Sequence, residues 1–241
     1  MKTNIYSNFV ADLTAKLCEL FGDKLRNVFQ LGSLSHGGFS ERFSDIDIAV
    51  VLHEPVTDAV IDNVKQQILQ LEPTALAKRV SLFWTVSDFS WGRLRPVDQL
   101  DFLDNRECLW GEPLQDLPVR PALDIVRKDM HDHSLPYWSE KTQYFTQQLP
   151  SDDKAFKEFV RCLLYPARLI FTWQLGKLGS NDEAVTYFTQ VAPMSLRRDM
   201  VEDALRCRKA EVTDQHLYQY QPYLLAQHQA TFAFLELEMP S

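Results

Sequence analysis

Two apolar runs with polar residues at fixed places constrain this chain more than any other feature. The first, Asn27-Val28-Phe29-Gln30-Leu31, ends in Gly32-Ser33 and leads into a turn containing Gly37-Gly38. The second, Ser44-Asp45-Ile46-Asp47-Ile48-Ala49-Val50-Val51, begins eleven residues after Ser33. Both read as strands. Successive strand side chains point to opposite faces, so Asp45 and Asp47 share one face while Ile46 and Ile48 enter the packed side. Neighbouring carboxylates repel, and at the start of a buried strand such a pair is tolerated mainly when a divalent cation neutralises it. Gly32 has no side chain to hold a polyanion off the backbone, and Ser33 adds a hydroxyl and an N–H at the entrance of a helical turn. Phosphates and a metal are therefore the expected ligands. A surface strand with two solvated aspartates is the alternative. It explains neither the apolar residues on both sides of Asp45 and Asp47 nor the Gly-Ser upstream.

In this order and spacing, Gly32-Ser33, the glycine turn and Ser44-Asp45-Ile46-Asp47 resemble the signature of the DNA polymerase β-like nucleotidyltransferase superfamily. Within it they look most like the aminoglycoside adenylyltransferases that modify streptomycin and spectinomycin. Ala167-Arg168-Leu169-Ile170, followed by Gly176-Lys177-Leu178 and Asp182, is similar to the core helix and loop of the helical domain in the same enzymes. The resemblance implies an α/β protein: an N-terminal nucleotidyltransferase domain, built as a small mixed sheet with flanking helices, followed by a C-terminal helical bundle. The implied activity is Mg²⁺-dependent transfer of AMP from ATP to a hydroxyl of a small acceptor. Asp45 and Asp47 would be the catalytic and metal-holding residues, and Gly32 and Ser33 would cradle the outer phosphates.

Composition narrows the partners. A net charge of -8 and a pI near 5.3 argue against a long nucleic-acid partner, which needs clustered Lys and Arg, and suit a cationic small acceptor better. No uninterrupted apolar run approaches the roughly 20 residues of a membrane span. The first residues, Met1-Lys2-Thr3-Asn4, open into an amphipathic pattern instead of a secretory signal, so the expected location is cytoplasmic with no membrane partner. Cys18, Cys108, Cys162 and Cys207 are far apart and show no zinc spacing; buried free thiols are expected.

Along the chain, periodicity predicts a helix over Tyr6–Phe21, a strand over Leu25–Leu31, a strand over Asp45–Leu52 and a helix from Val60 to Leu71. A third strand is expected at Val80–Val86 and a short edge strand at Glu107–Trp110. Leu117-Pro118-Val119-Arg120-Pro121 reads as the joint between a domain of residues 1–117 and a helical domain of residues 122–241. Later helices are expected over Leu123–Phe145, through Phe156–Phe171 with a kink at Pro166, and over Glu183–Val191, Met194–Ala210 and Asp214–Glu238.

One expected residue is missing. The superfamily places a third carboxylate on the strand after the second helix, yet that strand reads Arg79-Val80-Ser81-Leu82-Phe83-Trp84. Arg79 or Ser81 stands where an acid would be, and Asp88 comes several residues later. This keeps open a non-catalytic nucleotide-binding or regulatory protein on the same fold. Trp173 and Asp182 offer a flat apolar surface and a negative charge to an acceptor; the bland reading puts Trp173 in a core and makes Asp182 a helix cap. Arg206, Arg208 and Lys209 form a basic face that a triphosphate would attract, against the commoner case of a solvated charge run. His36 reads as a water-exposed turn residue. In His131-Asp132-His133, helical neighbours two apart diverge by roughly 200 degrees, which favours a solvated surface over a metal cluster.

Overall fold

Four strands make one mixed sheet in the order β3-β2-β1-β4. They are β1 (Leu25–Gln30), β2 (Ile46–Leu52), β3 (Val80–Val86) and β4 (Glu107–Trp110). The computed structural model describes residues 2–114 and 116–237. β1 runs antiparallel to β2 and to β4, while β2 and β3 are parallel, joined by a crossover that carries helices as parallel pairing requires. The register pairs Ile46 with Val80, Asp47 with Ser81 and Ile48 with Leu82.

Alternation along these strands gives the sheet two different faces. On one, Val28, Ile46, Ile48, Val50 and Leu82 are buried with Phe9, Leu13 and Leu17 of α1 (Lys2–Phe21) and with Ile61, Val64 and Ile68 of α3 (Asp58–Ile68). On the other, Phe29, Ala49 and Val51 pack with Leu94 and with Phe102 of α5 (Pro96–Asn105), Phe29 and Phe102 meeting edge to face at 5.0 Å. Two short helices complete this unit, α2 (Gly32–His36) directly after β1 and α4 (Thr74–Ala77) before β3. The predicted strands appear within a residue of their expected ends. Helix α5 lies where sequence periodicity gives no element at all. Its local signals are Pro96 at the first helical position and Asp98 in the first turn, with Val97, Leu100 and Phe102 buried.

The chain separates into two compact units, and the division is not a single cut. The first comprises the chain up to Phe39 together with Ser44–Arg120; the second comprises Ser40–Phe43 and the chain from Pro121 onward. The second unit is helical: α6 (Leu123–Asp129), α7 (Leu135–Gln147), α8 (Asp153–Leu175), α9 (Asn181–Val191), α10 (Arg198–Arg208), α11 (Asp214–Leu217) and α12 (Leu224–Phe234). A π-helical turn, Met130–Ser134, links α6 to α7, and a 3₁₀ segment, Tyr218–Tyr223, links α11 to α12. α8 is the core element, helical throughout with Pro166 included, burying Phe156, Phe159, Val160, Leu163 and Ile170. It ends at Gly176, whose φ of 60° supplies the left-handed cap.

Ser40–Phe43 is tied into this helical core. Phe43 is buried in it, Ser40 Oγ donates to the Arg208 carbonyl at 2.9 Å, and Arg42 grips Asp214 through two nitrogens at 2.6 and 2.7 Å and Asp153 at 2.7 Å. The Arg42 guanidinium also lies 4.8 Å from the Phe156 ring. Each partner of that ion pair is partly exposed, so the contact fixes geometry more than it adds stability. Cys162 and Cys207 are buried as expected, but Cys18 is half-buried and Cys108 is exposed, because β4 is an edge strand open to solvent.

Inside the helical unit His228 is buried, its Nε2 3.0 Å from Ser139 Oγ and its ring against Phe232 at 4.5 Å. Burial pushes its pKa down to about 4. The unfolded chain takes up a proton near pH 6.5 that the folded chain refuses until about pH 4, so stability falls as the pH drops through that window. The expected loss reaches about 3 kcal/mol at the acid end. Urea titrations of wild type and His228→Gln at pH 7 and pH 4.5 check this: the glutamine variant should lose much less stability between the two.

Candidate active site

The site is built where β1 ends and β2 begins. Leu31 N–H donates to the Asp47 carbonyl at 2.9 Å, which carries the pairing of the two strands to its last bond. The chain then turns at Gly32, buried and with φ +64°, and enters α2. A β-carbon at Gly32 would stand 2.1 Å from Asp47 Oδ2 and 3.0 Å from its Cγ. The Asp47 carboxylate therefore lies directly over the bare Cα of Gly32. Ser33 follows, half-buried, in the first turn of α2.

Asp45 and Asp47 are both half-buried, while Ile46 and Ile48 between and beyond them are fully buried. The alternation expected from the sequence thus places the two carboxylates off the α1–α3 face. Arg79 braces the entry to the strand: its Nε donates to the Ser44 carbonyl at 3.0 Å, with a second, shorter bond from its Nη2. Ile46 N–H donates to the Arg79 carbonyl at 2.9 Å. The guanidinium also sits 5.7 Å from the Phe39 ring and 5.9 Å from the Tyr6 ring. Arg79 is thus a brace for the Ser44–Asp45 backbone, and the residue beside Asp47 on β3 is Ser81.

Asp88 cannot substitute for an acid on β3. It lies in the turn beyond the far end of that strand, exposed, its pKa lowered by the Ser90 hydroxyl and then by the Ser90 N–H, which donates to it at 3.0 Å. Ser81 to Val86 alone covers roughly 16 Å of extended chain. Among the described residues no three His, Cys, Asp or Glu side chains group as a metal site.

A carboxylate does reach this site from α5, and sequence reading gave no hint of it. Asp101 is only 6% exposed. Its Oδ2 accepts the Gly32 N–H at 2.8 Å and its Oδ1 accepts from Asn105 Nδ2 at 2.9 Å. A second strut joins the same two helices, where Ser35 Oγ donates to the Asn105 carbonyl. The available signal was a carboxylate placed among Val97, Leu100 and Phe102 on the apolar side of a helix. Its partner is a backbone N–H in another element, which no local pattern discloses.

The remaining candidates lie in the helical unit and are engaged there. Trp173 is half-buried; its carbonyl accepts from Arg127 Nε at 2.9 Å, with that guanidinium 5.6 Å from the indole. Asp182 pairs with Lys209, and the cap of α9 is Ser180, in a capping box with Glu183. Arg206 pairs with Asp203 at 2.9 Å, and the Arg208 guanidinium lies 5.6 Å from the Phe43 ring, so the basic face is spent on local contacts. His131 and His133 are solvent-facing, as expected. His36 is half-buried instead of exposed, its Nδ1 enclosed without a hydrogen-bond partner.

Spectinomycin adenyltransferase AAD(9) from Enterococcus faecialis, solved with ATP and spectinomycin, matches over 93% of this chain and 98% of its own, with a TM-score of 0.65 and 15% sequence identity. This chain has the fold of that adenyltransferase. That is the fold the sequence resemblance implied, carried by an α/β unit and a helical unit. Structures of the toxin–antitoxin pair MntA–HpeT and of a toxin–antitoxin with AMP-PNP match over 54% of the chain at 22% and 23% identity. Their TM-scores of 0.32 are too low for a shared fold to follow. No protein-family model and no curated protein matches the sequence.

The Gly32 geometry predicts the effect of its loss. Gly32→Ala combines a positive φ with a β-carbon inside the Asp47 carboxylate, and should cost about 2 kcal/mol or more in thermal or urea unfolding. A variant as stable as wild type would show that Asp47 swings aside freely.

Proposed function

We propose that this protein is a Mg²⁺-dependent nucleotidyltransferase that moves AMP from ATP to a hydroxyl of a small, cationic acceptor. The observation that carries this is the placement of Asp45 and Asp47 at the mouth of β2, with Asp47 over the bare Cα of Gly32, in a nucleotidyltransferase fold. Two half-buried carboxylates are hard oxygen donors of the kind Mg²⁺ takes, and Asp45 and Asp47 would hold it. Bound there, the ion would supply charge neutralisation for the nucleotide's phosphates.

The protein's own residues account for the rest of the reading. Gly32 does not cradle a phosphate as the sequence resemblance implied: the space over its Cα is filled by the Asp47 carboxylate and its N–H is taken by Asp101. Ser33, next along, offers its hydroxyl and N–H to an outer phosphate. Arg79 fixes the Ser44 carbonyl and so the approach to Asp45. The net charge of -8 favours a cationic acceptor, and the adenyltransferase of similar fold was solved with spectinomycin.

Ser81, beside Asp47, supports a second reading: a protein that binds nucleotide without turnover, since no β3 carboxylate is there to take the acceptor's proton. Radiolabel transfer from ATP to a panel of aminoglycosides separates the two. Transfer supports the enzyme; nucleotide binding with no transfer to any acceptor supports the binder.

Asp45→Asn and Asp47→Asn should each abolish Mg²⁺-dependent ATP binding or turnover while leaving the melting temperature equal or slightly raised, because a repelling pair loses one charge. Full activity in either variant overturns the proposal. Ser81→Glu places an acid on the same face as Asp47. It should raise Mg²⁺ affinity or turnover, and unchanged values for both would show that position to be outside the site.

A further inference from the structure

Resting on that reading of the site, we propose that Asp101 is a positioning residue, one that holds the Gly32–Ser33 turn against Asp47 for nucleotide binding. Gly32 has one carboxylate on its N–H and another over its Cα. The first, from Asp101, is a bond of 2.8 Å across sixty-nine residues of chain; the second, from Asp47, leaves no space for a β-carbon. A residue at φ +64° is otherwise free to relax toward other glycine conformations. The Asp101 bond removes that freedom.

Three features mark this as a built support. Asp101 is buried on the apolar side of α5, where a carboxylate without partners would be costly. Both its oxygens are used, Oδ2 by Gly32 and Oδ1 by Asn105, one turn further along the helix. Asn105 in turn accepts the Ser35 hydroxyl through its carbonyl, so α2 is held to α5 at both Gly32 and Ser35. The turn carrying Ser33 thus stands on two bonds from one helix. Displacing Gly32 would move Ser33 away from Asp47, the two groups that the nucleotide must meet together.

Position and charge can be separated by two substitutions. Asp101→Asn removes the charge but keeps an oxygen for the Gly32 N–H, with Asn105 turned over to present its own oxygen. Asp101→Glu keeps the charge but adds a methylene in a filled space, pushing the acceptor out of place. ATP affinity in the presence of Mg²⁺ is measured by calorimetry, and exchange protection of the Gly32 amide by NMR without ligand, after each variant is shown to be folded. The expected result is D101N within about three-fold of wild type in affinity, with protection kept, and D101E at least about ten-fold weaker, with protection reduced.

The converse pattern, loss in D101N and retention in D101E, would assign Asp101 a charge role and overturn the proposal. Equal affinity in both variants and wild type overturns it as well. Should D101E fail to fold, Asp101→Ala takes its place beside D101N: affinity at least about ten-fold weaker with Gly32 protection reduced supports the proposal, and affinity equal to wild type overturns it. Wild type that binds no ATP overturns the nucleotide reading itself, and this inference with it. Wild-type binding matched by D101E overturns only the inference.

Discussion

Gly32 is held between two carboxylates, and the site depends on that arrangement. The Asp47 side chain occupies the volume a β-carbon would need, and the Asp101 side chain takes the glycine's only donor. Each contact alone is ordinary. Together they require a residue that is small, left-handed in φ and still able to donate a hydrogen bond, which glycine alone satisfies. Two negative groups placed this close to one backbone unit also repel each other, and burial of the glycine limits how far water can screen them. Under the proposed function, a divalent cation held by Asp45 and Asp47 would offset that repulsion.

The sheet transmits this constraint. β2 is central, paired antiparallel to β1 and parallel to β3, and its buried residues from Ile46 to Leu52 fix its register on both sides. A slip of one residue would turn Ile46 and Ile48 away from α1 and α3 and put Asp45 and Asp47 into that apolar core. The cost of burying two carboxylates in apolar surroundings excludes the slip, so the apolar residues of the motif determine where its acidic ones point. The face that receives Asp47 is covered further along by Phe29, Phe102 and Leu94, and it is this packing that delivers α5, and with it Asp101, to Gly32.

The sequence made much of this legible because the decisive signals were local. Strand alternation through Asp45-Ile46-Asp47-Ile48, the largely apolar run Val80–Val86 and the short run Glu107–Trp110 each identify themselves within a few residues, and the structure has strands there. Asp101 was hidden for the opposite reason: its partners include a backbone N–H far away in the chain, and α5 has too few apolar positions in ten residues to stand out. Ser40–Phe43 was hidden too. Ser-Glu-Arg-Phe reads as a solvated turn, yet Phe43 is buried in the helical core and Arg42 reaches Asp153 and Asp214, so the spacer between the two halves of the motif belongs to the helical unit. Trp173 and Asp182 were visible as types, but their partners Arg127 and Lys209 are set by tertiary packing.

Ser81 raises the question of what a site with only two strand carboxylates can do. Its register beside Asp47 is unambiguous, and neither Arg79, spent on the Ser44 carbonyl, nor Asp88, beyond the far end of β3, restores an acid to that face. Loss of a general base typically removes a factor of about 10² to 10⁴ in rate. Positioning and electrostatic effects, which dominate phosphoryl-type transfers, do not require that group. Under the proposed function, a chain with the support under Gly32 and a serine beside Asp47 would orient a nucleotide without a β3 carboxylate to speed proton removal. The acceptor's own acidity then becomes the variable that decides turnover, so an acceptor with a nearby ammonium, which lowers the pKa of its hydroxyl, is the kind this site would serve best.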